Sequence, residues 1–327
     1  MADGRGSDRL GGNAEQRRLA EPFEGRVQPW RRWGPYISER AWGTVREDYS
    51  PDGEAWDHFP HELARSKAYR WGEDGIAGLC DRYQKLCTSL ALWNGRDPIL
   101  KERMFGLGHH EGNHGEDAKE LWHYLDATPT HSYGRMLYRY PQAEFPYLEL
   151  VEENRRRGGH GPEYELVDTG IFDDGRYWDV EVEHAKAAPE DLCIRITAVN
   201  RGAEPASLHL LQQLWFRNTW SWGHPRGLPP VITAADAPAG CIAVCADDSA
   251  ASPLPGLRFD YRVGRRHLYG PSPGALLFTD NETNIERVYG CPSHSRFTKD
   301  AFHRFIFDCE DCCNPEETGT KAALHYV

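Results

Sequence analysis

From residue 177 the sequence alternates. Residues 177–187 place Trp178, Val180 and Val182 on one side and Asp179, Glu181 and Glu183 on the other. That period of two is the signature of a half-buried strand. Residues 192–199 form a second such strand, 200–205 a loop, and 207–216 run back. The pattern predicts an antiparallel meander with one wet face and one core face. Residues 224–240 are rich in Pro, Gly and Ala and read as a loop. Further short strands are expected at 241–245, 257–263, 275–278 and 302–307. Upstream, residues 86–93 fit a buried strand closed by a turn at Asn94-Gly95. Residues 121–124 are a strand or one helical turn, and 145–157 a short helix ending at Gly158-Gly159. Many short strands with frequent turns predict a mainly β chain: a large antiparallel β-sandwich with a few short helices in its loops.

The ends of the chain bound the domain. Residues 1–28 are dominated by Gly, Arg and Glu without apolar periodicity, and read as a disordered or loosely helical leader. Residues 29–327 are then one sandwich domain. Residues 321–327 read as a final strand with no polar tail, from which truncation at the C-terminal end is expected.

Composition excludes several functions. The 327 residues carry a formal net charge of −12, which disfavours a duplex-binding face and an anionic membrane surface. No apolar run approaches the roughly 18 residues of a membrane span. The first residues lack the apolar core of a secretory signal. A soluble, cytoplasmic protein is expected, without nucleic-acid or membrane partners. Nine cysteines is an odd count in a long chain and argues against a secreted disulfide framework.

Few constellations suit catalysis. Glu73-Asp74 and Glu116-Asp117 are adjacent pairs. Neighbours in an extended segment point to opposite faces, whereas glycoside hydrolysis needs two carboxyl groups about 5–9.5 Å apart across one sugar. His110 and His114 have helical metal spacing, but Gly112, Asn113 and Gly115 interrupt a helix there and no metal site is expected. Cys309 and Cys312 are spaced as a redox pair yet lack a helix N-terminus in a βαβ setting or a second cysteine pair. Asn281-Glu282-Thr283 has the glycosylation pattern, without consequence in a cytoplasmic chain.

All eleven tryptophans lie between Trp30 and Trp222. In residues 39–50 and 69–75 they stand beside Tyr, Arg, Glu and Asp. Aromatic rings stack on pyranose faces while charged groups hold hydroxyls, so this mixture suits sugar; a salt-bridged sheet edge suits it equally.

These blocks carry a resemblance. WGPYISERAWGTVREDYS (33–50), YRWGEDGIAG (69–78), LWNGRDPILKERMFGL (92–107), EGNHGEDAKE (111–120), DATPTHSY (126–133), YRYPQAEFPY (138–147), LVDTGIFDD (166–174) and LWFRNTWSWG (214–223) are similar to the bacterial glucosidase-like branch of glycoside hydrolase family 63. NETNIERVYG (281–290) and GTKAALHY (319–326) extend the resemblance along the chain. It implies an N-terminal β super-sandwich that packs on a C-terminal (α/α) barrel. The barrel holds the general acid and base of an inverting α-glucosidase and needs no metal or organic cofactor. No catalytic residue is therefore expected in this chain. The sandwich would support and cap a pocket for an α-glucoside oligosaccharide, with the barrel in cis or separately encoded. Trp42, Arg46, Tyr69, Arg70, Trp71, Glu73 and Asp74 are the candidates for that pocket. Asn113, His114, Glu116 and Asp117 are candidates for the domain interface. The alternatives are a free-standing carbohydrate-binding or interaction module without catalysis, and a non-functional gene fragment.

Overall fold

The structure is a computed structural model. It describes residues 12–25, 27–35, 60–70, 75–104, 106–108, 111, 117–158, 161–223 and 225–327. The chain is mainly β, with three antiparallel sheets arranged as a sandwich. A six-stranded sheet runs in the order β1 (Trp33–Pro35), β2 (Ile76–Asp81), β3 (Leu86–Trp93), β8 (His209–Phe216), β14 (Lys321–Tyr326), β12 (Ala275–Thr279). Two four-stranded sheets face it. One is β4 (Trp122–Ala127), β5 (Tyr133–Pro141), β6 (Tyr177–Ala188), β7 (Asp191–Asn200). The other is β11 (Arg266–Pro271), β10 (Cys241–Asp247), β9 (Val231–Ala234), β13 (Thr318–Gly319).

Two apolar cores fill the sandwich. Ile76, Leu90 and Leu92 meet Met136, Tyr138, Val180 and Val182 beneath the first small sheet. Leu79, Leu86, Leu214 and Leu324 meet Ile232 and Val244 beneath the second. β6 and β7 alternate as the sequence predicts, β6 buried on one face and β7 half-buried on one face. The expected meander stops there. β8 does not pair with β7; it lies between β3 and β14. The reason is legible in its residues. Leu210 and Leu214 face one side while Leu211 and Trp215 face the other, and a strand apolar on both faces belongs where both faces are covered.

The outer face of the six-stranded sheet is covered by α5 (Ala301–Phe307), whose Phe302 and Ile306 pack on Ala91, Leu211, Leu277 and Ala323. This segment was expected to be a strand. Over seven residues an apolar run fits either period, and Phe302 and Ile306 stand one helical turn apart on the buried face. Residues 257–263 are irregular rather than a strand. They are held by Asp248, which accepts N–H bonds from Val263 and Gly264 at 2.9 Å and pairs with Lys85 at 2.6 Å. Residues 121–124 divide: a 3-10 turn ends at Leu121 and β4 begins at Trp122. The helix expected over 145–157 is α3 (Tyr147–Arg157).

Within the proposed leader, α1 (Ala14–Ala20) is capped by Asn13 and Gln16 in a reciprocal box. Its Glu15 accepts from the Thr130 N–H at 2.6 Å and the Ser132 hydroxyl at 3.0 Å, tying the helix to the β4–β5 turn. The last strand, β14, is interior and paired on both sides. Cys80, Cys87 and the other seven cysteines are all free thiols. No helix among the described residues is long and apolar enough to cross a membrane.

Candidate functional site

Of the predicted site residues, Trp42, Arg46, Trp71, Glu73, Asp74, Asn113, His114 and Glu116 lie outside the described residues. Tyr69, Arg70 and Asp117 lie within them, and the structure connects them.

Tyr69 sits on the outer face of the six-stranded sheet with no exposure, its ring centroid 4.4 Å from that of Trp215. Its hydroxyl donates to Glu102 at 3.0 Å. Its backbone is clamped. The Asn281 side chain accepts from the Tyr69 N–H and donates to the Tyr69 carbonyl, both at 2.7 Å, and donates to the Phe216 carbonyl at 2.8 Å. The Asn218 N–H donates to the same Tyr69 carbonyl at 2.9 Å. Thr283 accepts from the Ala68 N–H at 3.0 Å. Asn281 and Thr283 therefore act as a polar latch that fixes the chain entering residue 71. Asn281 is fully buried and its amide is occupied, so it cannot serve as a glycan acceptor.

Below Tyr69, Glu102 takes an ion pair from Lys299 and a longer one, 3.5 Å, from Lys321. All three side chains are buried. Burial alone would raise the Glu102 carboxyl, but the two ammonium groups overcome it and hold the acid down to about 2. The same burial pushes Lys299 down to about 8 and Lys321 below its usual value.

The neighbouring residue, Lys101, belongs to a second network. It pairs with Asp117 at 2.6 Å and approaches Asp97 at 3.8 Å. Tyr147 donates to Asp117 at 3.0 Å, and His61 Nε2 lies 3.3 Å from the same carboxylate. Burial works against ionised Asp117, yet Lys101 and His61 hold it below the usual carboxylate range. Asp97 is raised, mainly by burial, and is bonded by the Tyr140 hydroxyl. The pocket candidate Tyr69 and the interface candidate Asp117 thus meet through two consecutive residues, Lys101 and Glu102. Three lysines balance three carboxylates across the pair of networks. A buried, paired charge cannot touch a substrate; it fixes geometry.

What reaches the surface lies one step further on. Arg70, half-buried, holds its guanidinium 5.3 Å from the Trp222 ring centroid, and the Arg217 guanidinium lies 5.4 Å from the same ring. Trp220 donates its indole N–H to Glu282 at 2.6 Å, and Arg226 pairs with the same carboxylate. Arg217 also donates to the Tyr83 carbonyl at 3.1 Å, so the indole and the two guanidinium groups form a half-buried cation–π stack. The loop after β8 that supplies Arg217, Trp220 and Trp222 was not a site candidate from the sequence, although the three tryptophans within residues 215–222, two of them in the loop, were a usable signal. Among the described residues no group of His, Cys, Asp and Glu is placed to hold a metal ion.

The chain is 41% identical over 329 residues to an uncharacterized protein of the yeast Saccharomyces cerevisiae, a match that takes in 91% of this chain and 29% of that protein. The chain therefore spans less than a third of the length of that relative. No protein-family model and no solved structure matches it.

Proposed function

We propose that the chain is the sandwich portion of an inverting α-glucosidase-like glycoside hydrolase, acting in the cytoplasm, that supports and caps the sugar pocket of an (α/α) barrel. The observation that carries this reading is the surface formed by Arg70, Arg217 and Trp222. It brings together the aromatic and guanidinium groups that sugar sites use, with Arg217 anchored on the Tyr83 carbonyl at 3.1 Å. The latch from Asn281 and the Tyr69–Glu102 bond give it a rigid base, which a cap over a pocket requires. The carboxylates Asp97, Glu102 and Asp117 are buried against lysines and do not serve as a catalytic pair, which supports placing the general acid and base of inverting hydrolysis in the barrel. The barrel would lie in polypeptide equivalent to the part of the yeast relative outside the match.

The test is hydrolysis of a panel of α-gluco-disaccharides by residues 1–327 and by the full-length yeast relative. Turnover is expected from the longer protein and none from residues 1–327. Turnover by residues 1–327 themselves would sink the reading, because the catalytic carboxylates would then lie inside the sandwich. A free-standing carbohydrate-binding module is the second reading, favoured by the same half-buried indole. It requires that the chain alone bind a malto-oligosaccharide and lose that binding in Trp222→Ala, with no turnover from the longer protein.

A further inference from the structure

The layer that faces the six-stranded sheet is split. β7 and β11 are the edge strands of their two sheets, and they form opposite walls of a cleft of about 870 Å³. The strands start from the same end: Arg266, the first residue of β11, pairs at 2.6 Å with Glu190 in the turn that opens β7. From that pair they run alongside the cleft in the same direction.

The walls are backbone edges. Consecutive residues line each side, Asp191 to Ile194 on β7 and His267 to Gly270 on β11. A single face of a strand would contribute alternate residues only. β7 bonds only to β6 and β11 only to β10, so the backbone groups pointing into the cleft have no backbone partner among the described residues. The floor is the inner face of the six-stranded sheet, lined by Leu210, Leu214 and Leu324. Its polar groups are few: the Gln212 amide already donates to Thr88 at 2.6 Å, which leaves the Tyr326 hydroxyl at one end. So largely aliphatic a floor offers little to sugar hydroxyls. Apart from that hydroxyl, the orphan polar groups are on the walls, spaced as a strand spaces them.

We propose that this cleft accepts one extended polypeptide segment of about six residues, apolar at alternate positions, which adds as a strand to β7 and β11 at once and joins the two small sheets into one layer. Its alternate side chains fill the floor while its backbone satisfies both edges. The segment comes from polypeptide of the kind the yeast relative carries outside the matched 29% of its length. The proposal does not rest on the glycosidase reading, since strand addition needs no catalytic partner.

The experiment is a scan of residues 1–327 against overlapping 12-residue peptides covering the unmatched part of the yeast relative. Binding is followed by amide hydrogen exchange. A cluster of overlapping peptides with alternating apolar residues should bind. It should slow exchange in residues 191–196 and 267–271 by about tenfold or more. Methylating alternate peptide nitrogens keeps every side chain but removes main-chain donors, and should weaken binding about tenfold or more. The proposal is overturned if no peptide binds, if protection appears elsewhere, or if N-methylation leaves the affinity unchanged.

Discussion

Glu102 stands between two fully buried lysines, and among the described residues no other carboxylate lies within ion-pair distance of their ammonium groups. Glu102→Gln keeps the volume and removes the charge. Breaking one member of a buried ionic group leaves the others uncompensated, a cost of about 3–5 kcal/mol. Urea unfolding of Glu102→Gln should show that loss; a variant within about 0.5 kcal/mol of the parent would mean that the lysines are solvated. Asn281 teaches a different lesson at this scale. Its sequence context suggests a surface glycan acceptor, yet it is buried and bonded to two backbone carbonyls and one N–H. A three-residue pattern carries no information about which strand end lies above it, and that neighbour decides the role of the side chain.

At the scale of elements, the period-two pattern placed β6 and β7 correctly because one face of each is wet. β8 shows where the pattern stops informing. Its residues demand cover on both faces but do not name the partners, so the expected neighbour β7 was replaced by β3 and β14. The junction of β13 and β14 is equally a matter of close approach. A Cβ at Gly319 would lie 2.2 Å from the Thr279 carbonyl oxygen, a backbone atom that cannot swing aside. Gly319→Ala should therefore cost on the order of 1–3 kcal/mol by overpacking, read as a lowered denaturant midpoint with an unchanged slope. Gly240→Ala would be a poor comparison, since φ there is +82° and the strain is of a different kind. Gly134→Ala, with no neighbour nearer than 3.9 Å and an ordinary φ, is the fair control and should be close to neutral.

The molecule as a whole should be acid-sensitive. His184 is buried in the first small sheet, and burial pushes it down to about 4. Between about 6.5 and 4 the unfolded chain binds a proton that the folded chain does not, so stability rises with pH across that window and is lost as pH falls through it. The full window corresponds to about 3 kcal/mol. Glu102 extends the trend further down. Its folded value, about 2, lies below the ordinary 4.5, so its contribution is present above pH 4.5 and lost on descent toward 2. Unfolding free energy measured from pH 7 to 4.5 should fall steadily, and His184→Leu should flatten the upper part of that decline. A pH-independent free energy over this range would contradict the buried, neutral imidazole.

The sequence by itself determined the class of fold, the strands with one wet face and a helix expected over residues 145–157, which the structure places at 147–157. These follow from local period and turn chemistry, which neighbouring residues carry among themselves. It also marked Tyr69 and Asp117 as residues of consequence, though not their roles. Only the tertiary structure decided that both are buried anchors joined through Lys101 and Glu102, that Trp222 stands beside two guanidinium groups, and that β7 and β11 leave a cleft between their edges. Apart from Arg217 beside Trp222, each of these joins residues about 16 to 150 positions apart. Such contacts are fixed by which surfaces are left to be covered once the strands have formed, a property of the assembled sheets and not of any stretch of sequence.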